Sequence, residues 1–327
     1  MSTLENTLGS TSVDTVPLVA HHIADAFINE PAGIAETKAL LVMQGGRVVL
    51  ERYAVDVAAH TTLVSWSMAK SVTQAIVGLL VLDGLLDVDA PAPVAQWADD
   101  ERSAITVAQL LNMRSGLRFV EEYTNQSSDV VEMLFGSGQA DVAGFAAGMP
   151  LVHQPGTHWE YASGTTNIIC HIIGDLIGGG PDGMRAYVNE RLFAPLGMTT
   201  ANIRFDAAGT FIGSSFMYAS ALDYARFGEL YRLDGVWNGQ RILPEGWMDQ
   251  ARTPTPTPAG EAYGYGSHWW LWPYPGSFAA HGYEGQHIVV VPDRELVVVR
   301  QATTPDTNKW WPRALLHRLI ETFPVTA

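Results

Sequence analysis

Only one cysteine, Cys170, occurs in this chain, so no internal disulfide can form. Its setting, Ile168-Ile169-Cys170-His171-Ile172-Ile173, predicts a buried core thiol rather than a reactive one. Basic residues are scarce as well. Nineteen Lys and Arg stand against 34 Asp and Glu, giving a net charge of −15 and excluding the basic surface that nucleic acid requires. No apolar run reaches the roughly 18 residues of a membrane span. The stretch Met1–Pro17 lacks the charged-then-apolar order of a signal peptide, so a cytoplasmic protein is expected. The ten histidines form no His-Glu-x-x-His: His281 and His287 lie six apart, and His21, His22, His153 and His158 suit packing or solvation. No metal and no cofactor are expected. A phosphate-cradling Gly-x-x-x-x-Gly-Lys is missing, and Gly213-Ser214-Ser215-Phe216-Met217 lacks the second glycine of a Gly-x-Ser-x-Gly elbow.

The chain does have apolar residues in plenty, 47% over 327 positions, enough for one large domain or two intimate ones. Its patterning predicts a helix over Leu18–Asn29. A hairpin over Lys38–Tyr53 is expected to turn at Gly45-Gly46. Helical periodicity runs from Ser67 to about Leu196, in Ser67–Leu86, Val107–Met113, Asn167–Ile177 and Arg185–Phe193. A further helix is expected over Ser220–Leu233. Strands return at Ile288–Val291 and Leu296–Gln301 around Pro292-Asp293-Arg294-Glu295, before a closing helix, Trp310–Thr322. Thr253-Pro254-Thr255-Pro256-Thr257-Pro258 reads as a stiff extended loop. Strands at both ends with helices between them imply an α/β (α+β) protein. One sheet would be assembled from residues 1–66 and 205–327, with a helical region, 67–204, inserted and the cleft between the two.

Three pieces of this pattern carry chemistry. Ser67-Met68-Ala69-Lys70 opens a helix and places a hydroxyl and an amine on one face. The amine can take the hydroxyl's proton only if its surroundings keep it neutral, and the apolar run Val72, Ile76, Leu79 and Leu80 would bury its stem. Tyr161-Ala162-Ser163 follows a Pro155-Gly156 turn, where a phenol can project into a cleft or pack at a helix entry. Ala280-His281-Gly282-Tyr283 precedes a strand; its glycine allows close backbone approach, and its N–H groups could help form an oxyanion hole.

Ser-x-x-Lys, then Tyr-x-Ser about 90 residues on, then a glycine-containing strand motif near the C-terminus, resembles the serine β-lactamase-like superfamily. The chain looks most like its class C-like branch, which holds the family VIII carboxylesterases and the 6-aminohexanoate-dimer hydrolases. The likeness to the latter runs from about Leu40 to Trp311. It includes Asn112-Met113-Arg114-Ser115-Gly116, Glu122-Tyr123, Ala221–Gly228, His268-Trp269-Trp270, Gly285-Gln286 and Pro305-Asp306-Thr307.

The resemblance implies a β-lactamase/penicillin-binding-protein-like fold, with an antiparallel sheet flanked by helices and an inserted all-helical region. It implies Ser67 as nucleophile, Lys70 and Tyr161 as shared base and acid, and backbone N–H groups of Ser67 and Tyr283 as oxyanion donors. Tyr123 matches a tyrosine that closes over substrate, or else is a surface tyrosine in a polar loop. Ser163 is expected to support the site. Trp269, His281 and Gly282 are expected to line the pocket, with core packing an equal explanation for Trp269. Ser214 falls near a pocket asparagine of the nylon-oligomer enzymes, and Leu134, with Glu132 two residues before it, near their substrate-recognising carboxylate. Ala280 stands where the superfamily has the lysine that holds an anionic antibiotic. The expectation is a hydrolase of small carboxylic esters, with linear amides as a further class. Its partner is a small molecule rather than nucleic acid or a membrane, and a homodimer is left open. A β-lactamase or D,D-peptidase is the alternative, and a catalytically silent penicillin-binding-type sensor the rival from another class.

Overall fold

A computed structural model describes residues 16–258 and 263–326. All but the last two residues of the polar N-terminal stretch considered above lie outside that range. The core is a six-stranded sheet in the order Arg47–Tyr53, Glu36–Gln44, Leu296–Thr303, His287–Val291, Phe278–His281, Trp270–Leu271. Every neighbouring pair is antiparallel, so N-terminal and C-terminal strands interleave in one sheet. The turn Gly45-Gly46 joins the first hairpin with positive φ at both residues (52° and 78°), which glycine adopts without a Cβ clash.

The central strands read as continuous apolar runs because both of their faces are covered. Leu40, Val42, Val289 and Val298 pack on one face against the helices Leu18–Ile28 and Trp310–Glu321. Leu41, Met43, Val290, Val297 and Val299 point the other way, as a period of two requires, into a larger core shared with the helices Met68–Leu82 and Ala221–Arg232. Helices Val107–Leu111, Asp129–Phe135, Val142–Ala147, Ser163–Ile177 and Gly180–Val188 fill the stretch between the two groups of strands.

A second, three-stranded sheet positions the site. Leu63–Val64 pairs with Met217–Ala219, which pairs with Asn202–Ile203. It ties the chain just before Ser67 to the chain just after Ser214, and Ser65 completes the tie through Ser65 N–H to Met217 C=O (2.8 Å) and Ser65 Oγ to Ser215 C=O (3.1 Å).

Element boundaries shift from the sequence expectations for physical reasons. The Ser67 helix stops at Leu82, four residues early, because Gly84 turns to φ +70° after it. The helix expected from Asn167 begins at Ser163, through Ser163, Gly164, Thr165 and Thr166, none of them a strong helix former. Its first turn is held from outside, as described below. The expected helix Arg185–Phe193 lies within Gly180–Val188 and a wider π turn, Asn189–Phe193. Among the described residues no helix is long and apolar enough to cross a membrane, and no group of three or more His, Cys, Asp or Glu is placed to hold a metal ion. Cys170 is buried.

Candidate active site

Ser67 is the N-cap of the helix Met68–Leu82, and Lys70 lies one turn in with only 1% of its surface exposed. Lys70 Nζ has three close partners: Ser67 Oγ at 3.0 Å, Ser163 Oγ at 2.8 Å and the Ser214 carbonyl at 3.0 Å. Two of these must accept from the amine. A carbonyl has no proton to give, and the Ser163 hydroxyl spends its own proton on Glu121 Oε1 at 2.5 Å. A neutral amine has two N–H bonds and one lone pair, so the lone pair is left facing Ser67 Oγ–H. The neighbours therefore orient the amine as a base toward one hydroxyl. Burial pushes the Lys70 amine down to about 8, against smaller upward pulls from Glu121 and Cys170, so a share of it is uncharged at neutral pH.

Glu121 is the site residue that sequence reasoning missed. Its carboxylate accepts the Ser163 N–H at 2.7 Å as well as the Ser163 hydroxyl. It thus closes the open first turn of the helix Ser163–Ile177, where no side-chain cap comes from Ala162. Burial raises the Glu121 carboxyl, opposed by Lys70 and by the Ser163 bonds. The pair joins residues 42 apart in the chain, and no local spacing announces it. Glu121→Gln keeps the shape but loses the charge that fixes the Ser163 proton. We expect kcat to fall about tenfold, the equivalent of one charge-assisted hydrogen bond, with KM little changed. Steady-state kinetics checks this, and an unchanged kcat would leave Glu121 only a structural cap.

Tyr161 brings its ring to 4.9 Å from Lys70 Nζ and stacks on Trp270 (5.3 Å between centroids). Burial and Glu121 drive its phenol far up, while the neighbouring Ser67 hydroxyl pulls the other way, so the phenol keeps its proton. A neutral phenol beside the hydroxyl can pass a proton on; it is not a standing phenolate base.

Gly282 lets the third motif press against the segment that leads into the nucleophile. A Cβ there would lie 2.6 Å from the Ser65 carbonyl. Arg300, fully buried and paired with Glu30 at 3.2 Å, donates to the Gly285 carbonyl at 2.7 Å and anchors the same turn. Ser67, Tyr161, Gly282 and Tyr283 all line one cavity of about 250 Å³. Tyr123 lines it too, stacked on Tyr283 (4.2 Å) and edge-on to Trp66 (5.8 Å). The Tyr123 hydroxyl is buried near Ser163 and Ser215.

Other expected pocket residues fall elsewhere. Trp269 is fully buried against Phe227, Tyr231 and Phe278 in the core, and the adjacent Trp270 faces the pocket instead. His281 contributes to the wall, but its ring accepts from Trp272 Nε1 at 2.8 Å within an aromatic cluster. Ser214 is buried and offers Lys70 its carbonyl, while its hydroxyl pairs with Ser215. Ala280 packs in the core. Glu132 bonds Ser137, and neither it nor Leu134 lines the cavity. A second cavity of about 580 Å³ adjoins the first, sharing Glu121, Glu122, Tyr161 and Trp270 with it.

The Beta-lactamase family model matches residues 31–319. The 6-aminohexanoate-dimer hydrolase of Paenarthrobacter ureafaciens is 25% identical over 298 residues, covering 84% of this chain and 75% of that protein. A Bacillus anthracis structure provisionally named a 6-aminohexanoate-dimer hydrolase superposes with a TM-score of 0.76 at 21% identity, covering 88% of this chain and 80% of that one. The D-stereospecific amidohydrolase from a Streptomyces species gives 0.68 at 16% identity, covering 93% and 97%.

Proposed function

Since the chain belongs to the Beta-lactamase family of serine hydrolases, we propose that it cleaves small carboxylic esters, and more slowly linear amides, through an acyl-enzyme on Ser67. One observation carries the reading: the Lys70 amine lies 3.0 Å from Ser67 Oγ with its other two contacts occupied by acceptors. Lys70 takes the Ser67 proton as Oγ attacks the carbonyl carbon. The protonated amine then has a third N–H for the Ser67 oxygen it has just deprotonated. Tyr161, neutral and within reach of Ser67, hands a proton to the departing oxygen or nitrogen. Backbone N–H groups of Ser67 and Tyr283 take the oxyanion charge in this scheme. The Lys70 ammonium passes its proton to the Tyr161 phenolate, which resets both groups. Water then attacks the acyl-enzyme with Lys70 again as base, and the proton it takes is returned to Ser67 Oγ as the acid leaves.

Esters are favoured over amides because an alkoxide or phenoxide leaves with less proton assistance than an amine. The amidase names of the relatives support amides as the second class. Ala280, where β-lactam-binding relatives are expected to hold a lysine, removes a charge-assisted contact from a β-lactam carboxylate, a loss of about 10–100-fold. A panel of p-nitrophenyl acetate and butyrate, a linear anilide and nitrocefin tests the order. Esters should lead in kcat/KM, with the anilide next. Nitrocefin turned over faster than either ester would make the β-lactamase or D,D-peptidase assignment the better one. A fluorophosphonate that leaves Ser67 unlabelled would favour a silent sensor. Activity and a homodimer are separate questions, and size-exclusion chromatography with light scattering answers the second.

A further inference from the structure

We propose that Glu284 and Trp66 are positioning residues that hold the two oxyanion donors at a fixed separation; the proposal rests on the hydrolase reading above. Those donors belong to separate elements. Ser67 starts the helix Met68–Leu82, and Tyr283 lies just past the strand Phe278–His281. Their chain neighbours are joined directly: the Trp66 indole N–H donates to Glu284 Oε2 at 2.7 Å, across 218 residues of sequence. Trp66 immediately precedes Ser67 and Glu284 immediately follows Tyr283, so this bond links the two backbones that carry the donors.

Trp66 holds a backbone conformation that its own preferences oppose. Its φ of +45° lies in the left-handed region, which a residue with a Cβ keeps only when its surroundings over-determine it. The Trp66 carbonyl accepts the Ala69 N–H at 3.0 Å and the Ser65 hydroxyl at 2.8 Å, which carries the turn into the helix. Its ring stands edge-on to Tyr283 (5.6 Å) and Tyr123 (5.8 Å) and tilts against Phe216 (5.9 Å). Ring contacts tolerate a range of offsets, whereas a hydrogen bond to a carboxylate fixes both distance and direction. The opposite turn is braced from the sheet. The Gly282 N–H donates to the Gln286 carbonyl at 2.8 Å and the Glu284 N–H to Gln286 Oε1 at 3.0 Å, while Gln286 Nε2 donates to the Ala302 carbonyl at 2.8 Å. Glu284 is thus set on a rigid turn and reaches across to the nucleophile's segment. Neither Glu284 nor Trp66 lines the catalytic cavity, so what their bond sets is donor placement and not substrate contact. Oxyanion donors act by being aimed before charge develops, so displacing one costs rate while leaving ground-state binding alone.

A matched pair of variants tests this. Glu284→Asp keeps the charge but shortens the reach by one methylene; Glu284→Gln keeps the reach and an acceptor oxygen. With active sites counted by fluorophosphonate titration, Glu284→Asp and Trp66→Phe should each lose about tenfold in kcat for p-nitrophenyl butyrate, with KM within about twofold. Glu284→Gln should stay within about threefold of the wild type. The double variant Trp66→Phe/Glu284→Asp should lose no more than the larger single loss, because the same bond is removed twice. Phenylboronic acid, which forms a tetrahedral adduct on a serine, should bind both single variants about tenfold more weakly by calorimetry. A merely structural bond would lower the melting temperature and leave kcat and boronate affinity per titrated site unchanged; that result would overturn the inference, as would additive losses in the double variant. A wild type that binds the boronate but hydrolyses no ester would sink the hydrolase reading alone, and the boronate series would still decide on Glu284. A wild type that binds no boronate would overturn both.

Discussion

Ser67→Ala is expected to hydrolyse p-nitrophenyl butyrate at least about 10⁴-fold more slowly than the wild type, and to fold normally. The size of the loss follows from what the hydroxyl does in the proposed scheme. Without Oγ no acyl-enzyme forms, and the remaining groups can only bind the ester and polarise its carbonyl. The normal fold follows from what the hydroxyl does not do. Ser67 is an N-cap residue whose side chain makes no capping bond, so the helix Met68–Leu82 loses no terminal partner. Lys70 keeps Ser163 and the Ser214 carbonyl. The melting temperature should stay within about 2 °C of the wild type, as befits a loss below 1 kcal/mol in a chain of this size. Mass spectrometry after fluorophosphonate treatment should find the adduct on Ser67 in the wild type and none in the variant. Turnover within tenfold of the wild type, or an adduct on another residue, would remove Ser67 from the mechanism.

Legibility in the sequence tracks distance along the chain. Ser67 and Lys70 are three apart on one helix, so their meeting could be read from spacing alone. The hairpin at Gly45-Gly46 and the strands around Pro292-Asp293-Arg294 were equally local. Glu121 was not, because its bonds to Ser163 exist only after the segment around residue 121 folds over the start of another helix. Ser214 could not be understood either: its carbonyl matters, and backbone carbonyls leave no mark on residue choice. Trp269 and Trp270 illustrate a third limit. In a two-residue strand a shift of one position exchanges core and pocket faces, and sequence offers nothing to choose between them.

Lys70→Met is expected to separate stability from activity. The amine is fully buried, and burial holds its folded value near 8 against about 10.5 in an unfolded chain. The unfolded state therefore binds this proton more tightly. As pH falls from 10.5 toward 8 the fold loses stability on this account, and below 8 the full penalty persists, about 3 kcal/mol. Methionine fills similar space without a charge, at the cost of leaving Ser163 and Ser214 one partner short. The variant should melt no lower than the wild type at pH 7, and its advantage should shrink by pH 9.5, where the wild-type amine is already neutral in the fold. Its kcat/KM for esters should nevertheless drop by about 10²–10⁴, the share of a general base. The same titration governs the wild-type profile. The neutral amine is the working form, so kcat/KM should halve near pH 8 and fall about tenfold per unit on further acidification. Stopped-flow or initial-rate profiles between pH 5 and 9.5, paired with thermal melts of both proteins, read all of this at once. A flat profile from pH 8 to pH 5 would deny the lysine its role as base. So would a methionine variant with more than a tenth of wild-type activity, because Tyr161, the phenol beside Ser67, already holds its own proton.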